Sequence, residues 1–326
     1  MRRAVTRARI VHDASGMRYF VRLVTVLAGS ISAAGALGAQ SARVTVVPAH
    51  PAPGAIVRVV LRVTAPAGDS VVTVSGTMAG EPLHFARSGM GSYRAVGGMP
   101  VDAASATAEA VVVHASGRAD TVRAEVALPP LPPPKEKLDV AAQFGQPLDS
   151  ALEARVAREV EIAHEIGQRS HETPRLWTAP FIRPRPSAIT SRFGAGRTFN
   201  GRVTSRHLGV DLRGAAGAPV RAANRGVVAA LDTFYLGGRI AYIDHGQGIV
   251  TAYMHLSKFL VAVGDTVARG QRIGLVGATG RVTGPHLHWA ARYGSLTVNP
   301  LDLLALPAQP RARSAPGRSA IAPVRR

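Results

Sequence analysis

The sequence contains no cysteine and few aromatic residues, and both shortages limit the functions open to it. Its 326 residues include 0 Cys, and Phe, Trp and Tyr together make up 5% of the chain. Without cysteine, disulfide bonds and thiolate metal sites are excluded, so any metal ion must be held by nitrogen and oxygen ligands. Histidine and the carboxylates are therefore the side chains to inspect.

Acidic residues are also scarce, with 20 Asp and Glu against 39 Lys and Arg, which gives a formal net charge of +19. Residues 1–39 carry six arginines and one aspartate, and residues 307–326 carry five arginines and no acid, so ten of these charges belong to the two ends. The remaining basic residues form no patch interleaved with aromatics. The charge therefore favours contact with an anionic cell envelope and argues against nucleic-acid binding.

The N-terminal segment, residues 1–39, has the pattern of a signal peptide. Arginines precede a mostly apolar stretch of 17 residues, 23–39, and small residues near its end suit cleavage. We therefore predict an exported protein of the periplasm, the cell envelope or the extracellular space. An uncleaved anchor is the alternative, because the apolar run is close to the lower length limit of a membrane span. Membrane attachment is expected only in that case.

Residues 43–128 are predicted to form an immunoglobulin-like β-sandwich. In the stretch VRVVLRV, residues 57–63, apolar side chains alternate with two arginines, as in a strand with one buried face. Further short runs of this kind follow, with Gly, Asp and Ser turns between them. The histidines of this region are isolated in the sequence and are interpreted as structural or solvent-facing: His50, His84 and His114.

Residues 129–176 are predicted to be a linker that contains one helix. The stretch PPLPPPKEK favours an extended spacer, because proline has no backbone N–H to donate. Ser150 and Glu153 then have the spacing of a capping box, apolar residues follow at helical intervals, and Gly167 marks the predicted end of the helix. Two histidines of this region have no ligand-like neighbour in the sequence: His164 and His171.

Residues 177–306 have a different character, with short Val- and Ile-rich runs broken by glycine, as in GRIAYIDHGQGIVTAYMHLS. Closely spaced strands and glycine turns indicate antiparallel β structure rather than βαβ units. Five of the 11 histidines fall between His207 and His288. This concentration is the main indication of function.

Two short motifs in this region predict a metal site. In TGPHLHW, His286 and His288 point to one face of a strand, because side chains alternate. In RHLGVD, His207 and Asp211 share a face if the segment is extended, and with one imidazole of the first pair they make three ligands for a tetrahedral zinc with an open position for water. Either motif alone occurs by chance, but both occur here with a further histidine, His255, in YMHLS.

These motifs, together with SRFGAGR, VGDTVARGQRIGLVGATG and VNPLDLL, resemble the LytM/lysostaphin-type M23 metallopeptidases, in the same order, over residues 177–306. The resemblance implies a catalytic domain of the duplicated hybrid motif type with one Zn²⁺. The zinc ligands it implies are His207, Asp211 and His288. The unligated histidines that it places beside the metal as catalytic residues, without deciding which is base and which is acid, are His255 and His286.

The resemblance and the export signal together imply a zinc-dependent endopeptidase that hydrolyses peptide cross-links or bridges of bacterial peptidoglycan. The alternative is a non-catalytic LytM-type activator of a cell-wall amidase. Members of that group typically lack one or more metal ligands, whereas all five site residues are present here, so the enzyme is favoured. A phosphate-accepting carrier of the related fold is disfavoured by export.

Other residues of this region are expected to have no part in the chemistry. His245 is predicted to be peripheral in a hairpin turn, Arg192 to be mainly structural, and Trp289 to face away from the metal into the core. The basic, proline-rich segment of residues 307–326 is predicted to be a disordered tail.

Overall fold

The computed structural model describes residues 41–65 and 67–308. The described chain is mainly β with antiparallel sheets and one α-helix, which confirms the predicted fold class. The predicted signal peptide lies outside the described residues, as does nearly all of the predicted tail. Within the described residues, no helix has both the length and the apolar composition needed to cross a membrane.

The first eight strands form two four-stranded antiparallel sheets. They are β1 (Ala42–Val47), β2 (Ile56–Val63), β3 (Val71–Met78), β4 (Glu81–Pro82), β5 (Ala86–Gly89), β6 (Ser92–Gly98), β7 (Ser105–His114) and β8 (Ala119–Ala127). The strand orders are β1-β2-β6-β5 and β4-β3-β7-β8, and both sheets contribute side chains to one apolar core. This order supports the immunoglobulin-like assignment, which stays a prediction.

The linker contributes a short strand, β9 (Glu136–Leu138), a 3₁₀ helix, Ala142–Phe144, and the helix α1 (Ser150–Arg169). The predicted cap of α1 is wrong by one residue. Asp149 is the N-cap, and its carboxylate accepts a hydrogen bond from the Leu152 backbone nitrogen at 2.8 Å. A carboxylate before the first turn satisfies an unpaired N–H of the helix, which frees Ser150 from that role.

The predicted end of α1 at Gly167 is also wrong, because the helix continues to Arg169. Gly167 is buried in the last turns, where a β-carbon would lie 1.9 Å from the carbonyl oxygen of Gly294. The residue is therefore needed for a close approach between the helix and a turn of the next domain rather than for helix termination.

The second half of the chain is built from twelve short strands and a final 3₁₀ helix, Pro300–Ala305. The strands are β10 (Ile189–Ser191), β11 (Gly196–Phe199), β12 (Val203–Arg206), β13 (Val210–Arg213), β14 (Pro219–Arg221), β15 (Gly226–Phe234), β16 (Gly238–Gly246), β17 (Ile249–Phe259), β18 (Thr266–Val267), β19 (Arg272–Val276), β20 (His286–Tyr293) and β21 (Leu296–Val298). Ten of them form one antiparallel sheet with the central order β10-β13-β20-β17-β16-β15-β18. β9 of the linker pairs in parallel with β11, which pairs with β12.

Hydrogen bonds join the sandwich to the second half of the chain. Glu81 is buried and accepts hydrogen bonds from the side chain of Gln168 at 3.1 Å and from the backbone nitrogen of Ser295 at 3.0 Å. His171 completes the contact, with Nε2 3.0 Å from the Glu81 carboxylate and Nδ1 2.9 Å from Nε2 of His84. No sequence motif marked His84 or His171, but the fold gives both histidines a structural place at this contact.

Candidate active site

Two imidazoles and one carboxylate converge beside the strands β13 and β20 of the large sheet. Nε2 of His207 lies 3.0 Å from Oδ1 of Asp211, and Nδ1 of His288 lies 2.9 Å from the same oxygen. The two imidazole nitrogens are 3.0 Å apart. Within the described chain, these three residues form a group whose ligand atoms all lie within 4.8 Å of one another. Three donors at this separation can bind one metal ion at bond lengths of roughly 2.0–2.2 Å.

Strand pairing brings Asp211 and His288 together. β13 and β20 are antiparallel neighbours, and Asp211 is directly opposite His288 in their register. Residues opposite each other on adjacent strands present side chains to the same face. His286 lies on this face, two residues before His288, while Leu287 and Trp289 are fully buried on the other. The alternation predicted for TGPHLHW is therefore present.

His207 reaches the cluster in a different way from the one expected. It lies between β12 and β13 rather than on an extended segment shared with Asp211, so that part of the prediction is wrong. Gly209 makes the turn possible, because a β-carbon there would lie 2.4 Å from Nε2 of His288. The glycine lets the backbone of this turn approach the imidazole closely.

The orientation of His207 is set by groups outside the cluster. Its Nδ1 lies 2.9 Å from the carbonyl oxygen of Arg192, which can only accept, and 3.1 Å from the hydroxyl of Ser191. In the neutral imidazole the proton is thus on Nδ1 and the lone pair of Nε2 faces Asp211 and His288. The lone pair of His207, the Asp211 carboxylate and Nδ1 of His288 then lie around one place, which is an arrangement that a cation can satisfy.

Arg197 and Glu136 extend the network, and sequence reasoning did not select either of them. Nη2 of Arg197 lies 2.5 Å from Oδ2 of Asp211, and its Nε donates to the carboxylate of Glu136 at 2.9 Å. Glu136 also accepts a hydrogen bond from Ser191 at 2.8 Å. Glu136 belongs to the linker strand β9, 61 residues before Arg197, so no local sequence signal could have joined them.

His255 and His286 lie beside the cluster. The ring centroids of the two histidines are 5.0 Å apart, and that of His255 is 5.8 Å from that of His288. Nδ1 of His255 lies 2.8 Å from the carbonyl oxygen of Thr279, and Nδ1 of His286 lies 2.8 Å from that of Gly284. A carbonyl on Nδ1 of each neutral ring leaves Nε2 to face the cluster, and Nε2 of His286 lies 3.5 Å from Oδ1 of Asp211.

The backbone of His255 is in the left-handed region, with φ of +62°. The residue falls in an irregularity of β17, where three residue steps from Tyr253 to Leu256 match two steps on β16. An extra residue of this kind is a β-bulge, which redirects a side chain out of the regular alternation. A positive φ in a residue other than glycine is unusual and is concentrated at functional sites.

Burial and the carboxylate of Asp211 determine the protonation of the cluster. Burial lowers the pKa of His288 to about 4 against the opposing effect of Asp211, and burial with the two neighbouring imidazoles lowers the pKa of His255 to about 3. Burial acts in the same direction on His286, but the bond to Asp211 outweighs it and raises the pKa of His286. Bonds from three histidines hold the pKa of Asp211 well below its usual range in spite of burial.

The cluster opens into a cleft of about 790 Å³. His207, His255 and His288 line one end, and apolar residues of the sheet line the floor. The walls come from α1, through Val156 and Val160, and from residues 100–103 of the sandwich. The N-terminal half of the chain therefore borders the cleft directly.

The remaining residues singled out in the sequence lie away from the chemistry. Trp289 is fully buried in the core, as predicted. His245 is not peripheral: it is completely buried on β16, with Nδ1 2.8 Å from the carbonyl oxygen of Arg225 and Nε2 2.8 Å from the Thr251 hydroxyl. The position is structural, since burial leaves no path from this ring to a substrate.

Comparison with known proteins identifies the domain that carries this cluster. Residues 205–300 match the model of peptidase family M23. The chain contains an M23 peptidase domain. The match includes all five residues of the cluster and its neighbourhood: His207, Asp211, His255, His286 and His288.

Relatives with similar sequences match about a third of this chain. The chain is 46% identical to the peptidoglycan DD-endopeptidase ShyA of Vibrio cholerae over 104 residues, which is 31% of this chain and 24% of the relative. It is 45% identical to the DD-carboxypeptidase/endopeptidase Mpg of Neisseria meningitidis over 101 residues, or 31% of this chain and 23% of that protein. The matched segment thus spans about a quarter of these relatives.

A solved structure resembles much more of the fold. A putative M23 peptidase from Pseudomonas aeruginosa superimposes with a TM-score of 0.57 at 25% sequence identity, covering 78% of this chain and 95% of that one. The superimposed part is longer than the M23 domain, so the structural similarity extends into the region before that domain.

Proposed function

We propose that the chain is a zinc-dependent endopeptidase of bacterial peptidoglycan, with His207, Asp211 and His288 as the metal ligands. The observation that carries this proposal is the convergence of two imidazole nitrogens and one carboxylate oxygen from these residues within the M23 domain. Two nitrogens and one oxygen are a donor set typical of catalytic zinc, which keeps a position open, whereas structural zinc usually has four protein ligands.

When bound, the metal supplies a Lewis acid and makes water nucleophilic at neutral pH. His255 and His286 supply the proton transfers. Each ring keeps its Nδ1 on a backbone carbonyl, so its Nε2 is the atom that exchanges a proton with the attacking water or with the leaving amine. When an Nε2 atom carries a proton, its N–H group stabilises the negative charge that develops on the carbonyl oxygen of the substrate.

The network around Arg197 keeps the ligands in place. Arg197 bonds to the oxygen of Asp211 that does not face the two imidazoles, and this leaves Oδ1 for the metal. The carbonyl of Arg192 and the hydroxyl of Ser191 fix the tautomer of His207. Support of this kind raises metal affinity, because the ligands need not be reordered on binding.

The substrate class rests on the relatives and on the N-terminal sequence. Two relatives from Vibrio cholerae are named peptidoglycan DD-endopeptidases. The arginine-rich, apolar residues 1–39 have the composition of an export signal, which leads to the compartment where peptidoglycan lies. We therefore infer a location in the cell envelope.

The alternative, an activator of a separate cell-wall amidase, is not favoured by the site. An activator needs no metal, and the family members that have this role typically lack ligands. Here both the three-residue cluster and the two neighbouring histidines are complete.

The test uses purified residues 40–326 with peptidoglycan sacculi, and reads released fragments by mass spectrometry. We expect new peptide amines and carboxylates, loss of release on chelation, and its return with Zn²⁺. Asp211→Ala should abolish release, and His50→Ala, an exposed histidine of the sandwich, should not change it. Release by Asp211→Ala at the wild-type rate would overturn the ligand assignment, and release only after addition of an amidase would establish the activator.

A further inference from the structure

Arg281 is a charged residue of the cleft that the proposed mechanism does not use. It lies in the segment between β19 and β20, and it lines the same cavity as His207, His255 and His288. Its guanidinium carbon is 4.0 Å from the centroid of the Phe199 ring. The aromatic ring lies on β11, so the arginine is held by a residue far from it in the sequence.

The guanidinium of Arg281 has no carboxylate partner among the described residues. One of its nitrogens, Nη2, donates to the hydroxyl of Ser205 at 3.4 Å. The neighbouring Arg197 differs, because it contacts the carboxylates of both Glu136 and Asp211. Arg281 is therefore a cation of the cleft whose charge is not balanced by a carboxylate among the described residues.

Partial burial of a charge that has no partner costs free energy, because the charge loses part of its hydration. Burial, with the charge of Arg197, lowers the pKa of Arg281 to about 10, and at neutral pH the side chain is still protonated. Buried charges in proteins are generally paired or bonded to a ligand. An anion in the cleft would supply the missing partner.

We propose that Arg281 binds a carboxylate of the substrate, so that the cleft selects anionic peptides over neutral ones. This inference rests on the proposed function and refines its substrate. A cross-link between stem peptides has free carboxylates close to the scissile amide, whereas an oligoglycine bridge has none along its length. Arg281 thus assigns the enzyme to stem-peptide cross-links.

The geometry suits this role. Stacking on Phe199 fixes the plane of the guanidinium, and the Ser205 hydroxyl fixes its rotation. A guanidinium held in one plane presents two parallel N–H groups, which match the two oxygens of a carboxylate. Because the protein has already ordered the side chain, little further entropy is lost when the substrate binds.

The test compares two synthetic cross-linked peptides that differ only in the group next to the scissile amide, a carboxylate in one and a carboxamide in the other. The wild-type enzyme should cleave the carboxylate peptide with a kcat/KM about 10-fold or more higher, the size expected for a charge-assisted hydrogen bond, and the difference should be in KM. Arg281→Gln should remove the preference, and Arg281→Lys should keep part of it.

Arg272→Gln is the matched control, because Arg272 is an exposed arginine of β19 that does not line the cleft. It should leave the preference unchanged. Circular dichroism and zinc content of each variant establish that the fold and the metal site are intact. An Arg281→Gln enzyme that is folded, holds zinc and still prefers the carboxylate peptide would overturn the proposal.

A binding measurement separates this proposal from the proposed function. Fluorescence anisotropy with the two labelled peptides is recorded for wild type and Arg281→Lys, with and without chelator. If the peptides bind with the predicted difference but neither is hydrolysed, the endopeptidase assignment fails and the role of Arg281 stands. If both are hydrolysed and bound equally, the role of Arg281 fails and the endopeptidase assignment stands.

Discussion

The carboxylate of Glu136 lies 2.9 Å from Nε of Arg197, so the linker holds the arginine that in turn contacts Asp211. The M23 match begins at residue 205, so Glu136 lies outside it. Through this contact Glu136 nevertheless supports the metal site. Removal of the Glu136 charge should therefore change the affinity of the site for the metal.

Glu136→Gln should weaken zinc binding by about 10-fold, in the range observed for residues that support metal ligands. The amide cannot balance the charge of Arg197 and holds its guanidinium less firmly, so Asp211 loses part of the support that orients it for the metal. Zinc titration against a competing chelator measures the effect. Glu125→Gln is the control, since Glu125 similarly accepts a bond from Ser105 but lies on the sandwich. Equal zinc affinity of the two variants would contradict the prediction.

His255→Ala should lower kcat by roughly 10²-fold or more, the contribution of a positioned general acid or base, while the zinc content stays at one per chain. The His255 ring meets the His288 ring edge-on, with 5.8 Å between the ring centroids. Because His255 is not one of the three proposed ligands, its removal should leave the metal bound. Metal analysis and cleavage rates on one preparation test both parts. Loss of the metal together with the activity would instead make His255 a ligand.

Gly209→Ala should lower zinc occupancy, because the added methyl group falls 2.4 Å from Nε2 of His288 and displaces the ring. Gly284→Ala provides a comparison in which the new methyl group meets no atom within 4 Å. Elemental analysis of both purified variants decides the point. Full zinc occupancy in Gly209→Ala would show that the turn can move without loss of the site.

Glu81→Gln should destabilise the chain by about 1–3 kcal/mol at pH 7, since it removes a charged acceptor of several buried hydrogen bonds. Burial raises the pKa of Glu81, but bonds from His171 and Ser295 outweigh burial and lower it below 4.5. A lowered folded-state pKa stabilises the protein above pH 4.5, and this stabilisation is lost as the pH falls through the folded-state pKa.

The difference between wild type and Glu81→Gln in urea unfolding should therefore be largest above about pH 5, just above the ordinary carboxyl pKa, and should shrink in more acidic solution. Glu109→Gln, which removes a surface ion pair with Arg123, should change stability by less than about 1 kcal/mol at any of these pH values. A difference for Glu81→Gln that is independent of pH would mean that the charge of Glu81 does not contribute.

Local patterns in the sequence were sufficient to predict the structure wherever it depends on residues that are neighbours along the chain. The alternation in TGPHLHW placed His286 and His288 on one face and Trp289 in the core, because side chains of a strand alternate whatever the strand pairs with. The glycine-punctuated runs likewise predicted antiparallel β structure, since their turns are local. The motifs of the resemblance named the five residues that the fold collects around one cavity edge.

The tertiary structure alone decided which distant groups complete the site. Glu136 reaches Arg197 across 61 residues through a parallel strand pair, Arg281 packs over the ring of Phe199, and Glu81 meets His171 across 90 residues. His207 arrives by a turn rather than along a strand. Charge pairing and hydrogen bonding depend on distances of a few ångströms in space, and residue types and spacings along a chain do not encode which side chains come that close.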